Sequence, residues 1–172
     1  MSLVYVGLWF VVEAGSTFWE VDGLADLAFF PAFVRVLGFL LIGLWIIPSL
    51  FLAFVILTLS GAMIYQGLEL PQQLVLGVLI ASGGPLALAL IRRVARISTD
   101  LVDLNIRSVL VLSLACAAGN SAFYNAGLAA AGLSSSGLDM GAVIFLGDVI
   151  GCAVMLTVTL GAMRIFRVGA SD

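Results

Sequence analysis

Lysine and histidine are missing from this chain of 172 residues, cysteine occurs only twice, and charged residues make up 10% of it against 63% apolar ones. An ordinary soluble domain carries about 25% charged and about 45–50% apolar residues, so water is the wrong solvent for this sequence. Without histidine there is no usual haem ligation, zinc site or nucleophile activated by an imidazole base. Cys116 and Cys152 lie in separate hydrophobic stretches. That argues against a disulfide framework or a Cys-based cluster, leaves a pairing between helices open, and reads most simply as small apolar packing. All seven basic residues are Arg and the net charge is −3, so no dense basic patch offers itself to a nucleic-acid partner. Gly83-Gly84-Pro85 falls inside an apolar run and lacks the Lys-Ser/Thr of a phosphate-cradling loop. These absences point to a non-enzymatic protein with no haem, zinc or nucleotide. They leave room for a lipid, carotenoid or quinone held between helices.

What the chain does contain is long apolar runs, and the expected fold class is all-α, a polytopic transmembrane bundle forming one integral membrane domain over residues 1–172. A helical crossing takes about 20 apolar residues. Leu24 to Tyr65 is twice that length and divides at Pro48, which predicts helices over 24–47 and 48–66. A polar patch from Gly67 to Gln73 precedes a third clear span, 74–91, that Gly83-Gly84-Pro85 should kink or interrupt. Residues 97–107 space apolar Ile97, Leu101 and Leu104 at helical intervals against Asp100, Asp103, Asn105 and Arg107, as a surface-lying helix does. Two further spans follow, 108–131 and 140–163, around a Ser- and Gly-rich loop. Residues 1–19 complete a set of about six if Glu13 is accommodated, and otherwise form a half-buried interfacial helix. The run after Met1 lacks a basic n-region and a cleavage pattern, so it reads as part of the mature fold.

Arginine sets the orientation, because short cytoplasmic loops carry the positive excess. Arg92, Arg93, Arg96 and Arg107 surround one loop and Arg164 and Arg167 follow the last span, while Glu20, Asp22, Asp26, Glu69 and Asp139 occupy the alternate loops. Both termini are therefore expected inside, with Trp9, Trp19 and Trp45 as interfacial anchors in a bacterial cytoplasmic membrane.

Ionisable groups within a span cost at least about 2.5–3.5 kcal/mol on insertion scales and face partners in the bundle interior. Arg35, Asp148 and Glu13 are such groups, and their depths agree, with Asn120 level with them and Asn125 just beyond. Arg35–Asp148 is the preferred pair, either as a buried polar site for a small ligand or ion, or as a register-fixing contact. Gly147/Gly151 and Ala115/Gly119 carry the small-x-x-x-small spacing, which predicts close packing of the last helix on the one before it.

Phe30-Pro31-Ala32-Phe33-Val34-Arg35-Val36-Leu37, followed by Gly43-Leu44-Trp45 and Pro48-Ser49-Leu50, resembles the first block of the bacterial membrane-associated sensor domain, a multi-helix input module. Gly147-Asp148-Val149-Ile150-Gly151 resembles the Gly-Asp element of that family's last helix. The two blocks cover about a third of the chain. The resemblance implies a non-enzymatic module in which Arg35 and Asp148 are singled out. Such domains are usually longer and carry a cytoplasmic output domain, whereas only nine residues follow Met163 here. The expectation is an accessory subunit acting through another membrane protein or complex. The rival expectations are a small-molecule carrier, favoured by an interrupted third span, and a purely structural subunit.

Overall fold

The computed structural model describes residues 1–15, 20–21, 25–26, 32–61, 68–97, 105–130 and 138–168. Within these, the backbone alone is described at 8–9, 11–15, 20–21, 25–26, 138–140, 160 and 162–168. Among the described residues six α-helices carry the fold: α1 (Ser2–Gly15), α2 (Ala32–Ile42), α3 (Ile46–Leu59), α4 (Leu70–Ala95), α5 (Ile106–Ala130) and α6 (Leu138–Val168). Two-residue strands β1 (Glu20–Val21) and β2 (Ala25–Asp26) pair antiparallel between α1 and α2. Among the described residues four helical stretches are long and apolar enough to cross a membrane: Ala32–Leu59, Leu70–Ala95, Ile106–Ala130 and Gly141–Thr159. The chain therefore has the architecture of a multi-pass helical membrane protein. α1, at 14 residues, extends about 21 Å and falls short of the roughly 30 Å hydrocarbon core.

The first of the four stretches is a hairpin and not a rod. A Cβ placed on Gly38 would run into the Ile46 side chain, although eight residues of straight helix would separate the two by about 12 Å. The reversal is made by a single 3-10 turn, Gly43–Trp45, entered through Gly43 at φ +61°. The expected break at Pro48 is thus displaced five residues upstream. Pro48 stands instead in the first turn of α3, where the N–H it lacks would have had no intrahelical partner. Left-handed backbone costs a residue with a Cβ about 1–2 kcal/mol, so Gly43→Ala is expected to lower stability by about that amount in a thermal or denaturant titration. Gly7→Ala, whose new methyl meets nothing within 4 Å, serves as the neutral control.

α2 lies beside α4 and runs in the same direction. Gly84 faces the stem of Arg35, and eight residues further along both helices Gly43 and Arg92 meet in one groove. The chain between them has to return to its starting end, and α3 makes that return, stacking Phe54 over Gly77 of α4. α2 also packs on α5 and α6, so eight of its eleven residues are buried. A helix that is apolar on every side suits this central position. Its one charge, Arg35, is thereby carried into the middle of the bundle.

α4 continues through Gly83-Gly84-Pro85 without interruption, which corrects the expectation of a kinked or interrupted span as far as an interruption is concerned. All three residues and Leu88 are buried, and packing on both sides holds a membrane helix together across a proline. Glu69 and Gln72 form a capping box at the start of α4, with Gln72 Oε1 accepting from the Glu69 N–H at 2.8 Å. Arg96, at φ 52°, closes the other end in the left-handed cap position. Most of the expected surface helix, residues 98–104, lies outside the described residues. Asn105 at its end caps α5, accepting from the Ser108 N–H at 2.9 Å.

Side chains that face outward are large and apolar, among them Leu3, Leu59, Leu90, Val94 and Ile106. In water such a surface would aggregate, and in lipid it is the ordinary solvent-facing surface. Hydroxyls on the outer helices are satisfied within their own helix: Ser82, Thr157 and Thr159 donate to the carbonyls of Val78, Ala153 and Met155.

Candidate functional site

At the level where α2 crosses α5 and α6, four polar side chains from four helices meet. Arg35 is 3% exposed, Asp148 1% and Asn120 4%; charges this deep persist only when paired and hydrogen-bonded. Arg35 Nη1 lies 3.4 Å from Asp148 Oδ2. The same carboxylate oxygen accepts from Asn120 Nδ2 at 2.6 Å. On its other side Arg35 Nη2 donates to the Tyr5 hydroxyl at 2.8 Å, and its guanidinium carbon lies 5.4 Å from the Tyr5 ring centroid, within cation–π reach. Arg35 thus ties α1 to α6, and Asp148 ties α2 to α5.

Local sequence explains how each helix presents its group. Asp148 is flanked by Gly147 and Gly151, which are buried on the same face of α6 and let neighbouring backbone approach. On α5, Ser113, Cys116, Ala117 and Asn120 recur at helical spacing and form its buried face. Gly84 of α4 provides the room for Arg35: a Cβ there would stand 3.4 Å from Arg35 Cδ and 2.9 Å from Cys116 Sγ. Cys116 of α5 and Cys152 of α6 are both buried in the same core cluster, and neither forms a disulfide.

The paired charges expected from depth, Arg35 and Asp148, are therefore together, and Asn120 joins them. Asn125 does not. It donates to the Ser121 carbonyl at 2.8 Å and packs against Gly141, where a Cβ would meet its amide, so it serves the far end of the α5–α6 contact. Glu13 lies on α1 with its side chain outside the described residues. The small residues of α5 are also used differently from the expectation. Gly119 packs on Gly83 and Ala87 of α4, and Ala115 is only half-buried; the α5 face toward α6 is built by Cys116, Asn120 and Ser121.

Tyr5 escaped the sequence reading, although it is the one hydroxyl between Ser2 and Gly15. That signal is usable only once the facing of α1 is known. On the buried face of α5, Asn120 Oδ1 and Ser113 Oγ have no hydrogen-bond partner among the described residues. They leave polar capacity on the buried face of α5 for a small donor such as water. Among the described residues no group of three or more His, Cys, Asp or Glu converges to hold a metal. Compared with protein-family models, with curated proteins and with solved structures, the chain finds no match in any of the three.

Proposed function

We propose that this chain is a non-enzymatic membrane module of the sensor type, acting as an accessory subunit to another membrane protein through the helices that its buried ion pair couples. The observation that carries this reading is the Arg35 junction, in which one guanidinium engages Tyr5 of α1 and Asp148 of α6 while Asp148 holds Asn120 of α5. A change at Arg35 or at Asp148 alters contacts in three helices at once, which is what a module reporting to a neighbour requires. In this reading the chain is a multi-pass protein of a bacterial cytoplasmic membrane with its Arg-rich end inside. Its support is the clustering of Arg at one end of the bundle: Arg92, Arg93 and Arg96 close α4, Arg107 opens α5, and Arg164 and Arg167 lie in the last turns of α6.

A carrier reading loses the interrupted helix that favoured it, since α4 is continuous. It retains one supporting observation, the unpartnered Asn120 Oδ1 beside the ion pair. Purification of the tagged protein from its native membrane in gentle detergent, followed by mass spectrometry, separates the two. The expected result is a stoichiometric membrane-protein partner, with less of it retained by Asp148→Asn at equal folded yield. A protein that purifies alone with a bound small molecule, lost in the same variant, would replace the subunit reading with the carrier.

A further inference from the structure

Far from the ion pair, at the Arg-rich end of the bundle, the α2–α3 turn and the last turns of α4 enclose a groove of about 340 Å³ lined by Phe39, Gly43, Leu44, Ala89, Arg92 and Arg93. Its volume falls in the range of small-molecule sites, roughly 300–1,000 Å³. One wall is apolar, made by Phe39, Leu44 and Ala89, and Leu86 and Leu90 of the same α4 segment are exposed. The rim holds two adjacent guanidiniums. Among the described residues neither Arg92 nor Arg93 takes part in an ion pair or a side-chain hydrogen bond. The C-terminal end of α4 supplies the equivalent of only about half a negative charge, so among the described residues most of this positive charge is unanswered. Beside the groove, Trp45 is 78% exposed, and an exposed indole at this level marks the headgroup boundary of the bilayer.

We infer that this groove is a binding site for an anionic phospholipid, with the phosphodiester between Arg92 and Arg93 and the upper acyl chain along Phe39, Leu44 and Ala89. The amphipathic division of the groove selects the occupant. A soluble anion answers the guanidiniums but leaves the apolar wall wet, and a neutral lipid does the reverse; an anionic lipid meets both. Gly43 leaves the turn without a side chain where the headgroup would lie, as nothing stands within 4 Å of a Cβ built there. The inference does not depend on the sensor reading or on the ion pair.

Native mass spectrometry of the detergent-purified protein, titrated with phosphatidylglycerol or phosphatidylcholine, tests it. Phosphatidylglycerol is expected to bind about tenfold or more tightly than phosphatidylcholine at low salt, and the preference to disappear in R92Q/R93Q. Arg107→Gln, which removes an exposed Arg at the same end but outside the groove, should leave the preference intact. Ala89→Phe, which fills the groove and keeps both charges, should weaken phosphatidylglycerol binding as well. Equal binding of the two lipids, equal losses in Arg107→Gln and R92Q/R93Q, or full displacement of the lipid by millimolar glycerol phosphate would each overturn the assignment.

Discussion

Asp148→Ala is expected to lower the stability of the protein by about 3–5 kcal/mol, because it leaves Arg35 in the bundle interior without its counter-charge. The two residues are 3% and 1% exposed, so water cannot take over the role of the lost carboxylate. Asn120 Nδ2 loses its acceptor in the same step, which adds about 1 kcal/mol or more. The Tyr5 hydroxyl and ring remain against Arg35, and they answer only part of a full charge. Removing both ions should be far milder. Replacing a buried pair by apolar side chains of similar volume is often neutral or stabilising, so R35M/D148L is expected to recover most of what Asp148→Ala loses. A denaturant or thermal titration of the wild type, Arg35→Met, Asp148→Leu and R35M/D148L in detergent measures the coupling. Additive losses would show that Arg35 and Asp148 act independently, and an unchanged Asp148→Ala would remove the ion pair from any account of this fold.

Gly119→Val should be nearly as damaging, for a steric reason. A Cβ at Gly119 would meet the Gly83 carbonyl oxygen and the Ala87 methyl, and a Cβ at Gly83 would meet the Gly119 carbonyl in return. Main chain faces main chain at this crossing, so neither side can swing away as a flexible side chain would. Overpacking of this kind costs about 1–3 kcal/mol and occasionally more, and the strain falls on the α4–α5 pair. Inside lipid no hydrophobic force draws helices together, and close contact between small residues is a principal source of their association. Gly161→Ala on α6 makes the comparison decisive, because a Cβ there meets nothing within 4 Å. It is expected to be neutral, or to gain the roughly 0.5–1 kcal/mol that Ala holds over Gly in a helix. If both variants unfold alike, the α4–α5 contact is looser than its geometry indicates.

The sequence by itself determined the solvent. A chain that is 63% apolar, with runs of about 20 residues between Arg-bearing and acidic loops, must satisfy its backbone internally, and helices crossing a bilayer are the outcome. It also determined which charges had to find partners, since Arg35 and Asp148 in the middle of such runs have no water to turn to. Depth along a helix follows from counting residues, and depth brought Arg35, Asp148 and Asn120 to one level. Rotation about each helix axis does not follow from counting. That is why Asn125, one turn past Ser121, turned toward Gly141 and away from the ion pair, why Tyr5 became the partner of Arg35, and why Gly119 met α4 instead of α6. Only the tertiary structure decided these facings, because a lipid-embedded helix is apolar on nearly every side and carries little pattern to mark its inner face. The same reason applies to the breaks. Proline in the sequence marks a lost N–H, but Pro48 lay where that N–H had no partner and Pro85 lay where packing held the helix on both sides. The reversal fell to Gly43, whose need for left-handed backbone arose only once α2 and α3 had packed against each other.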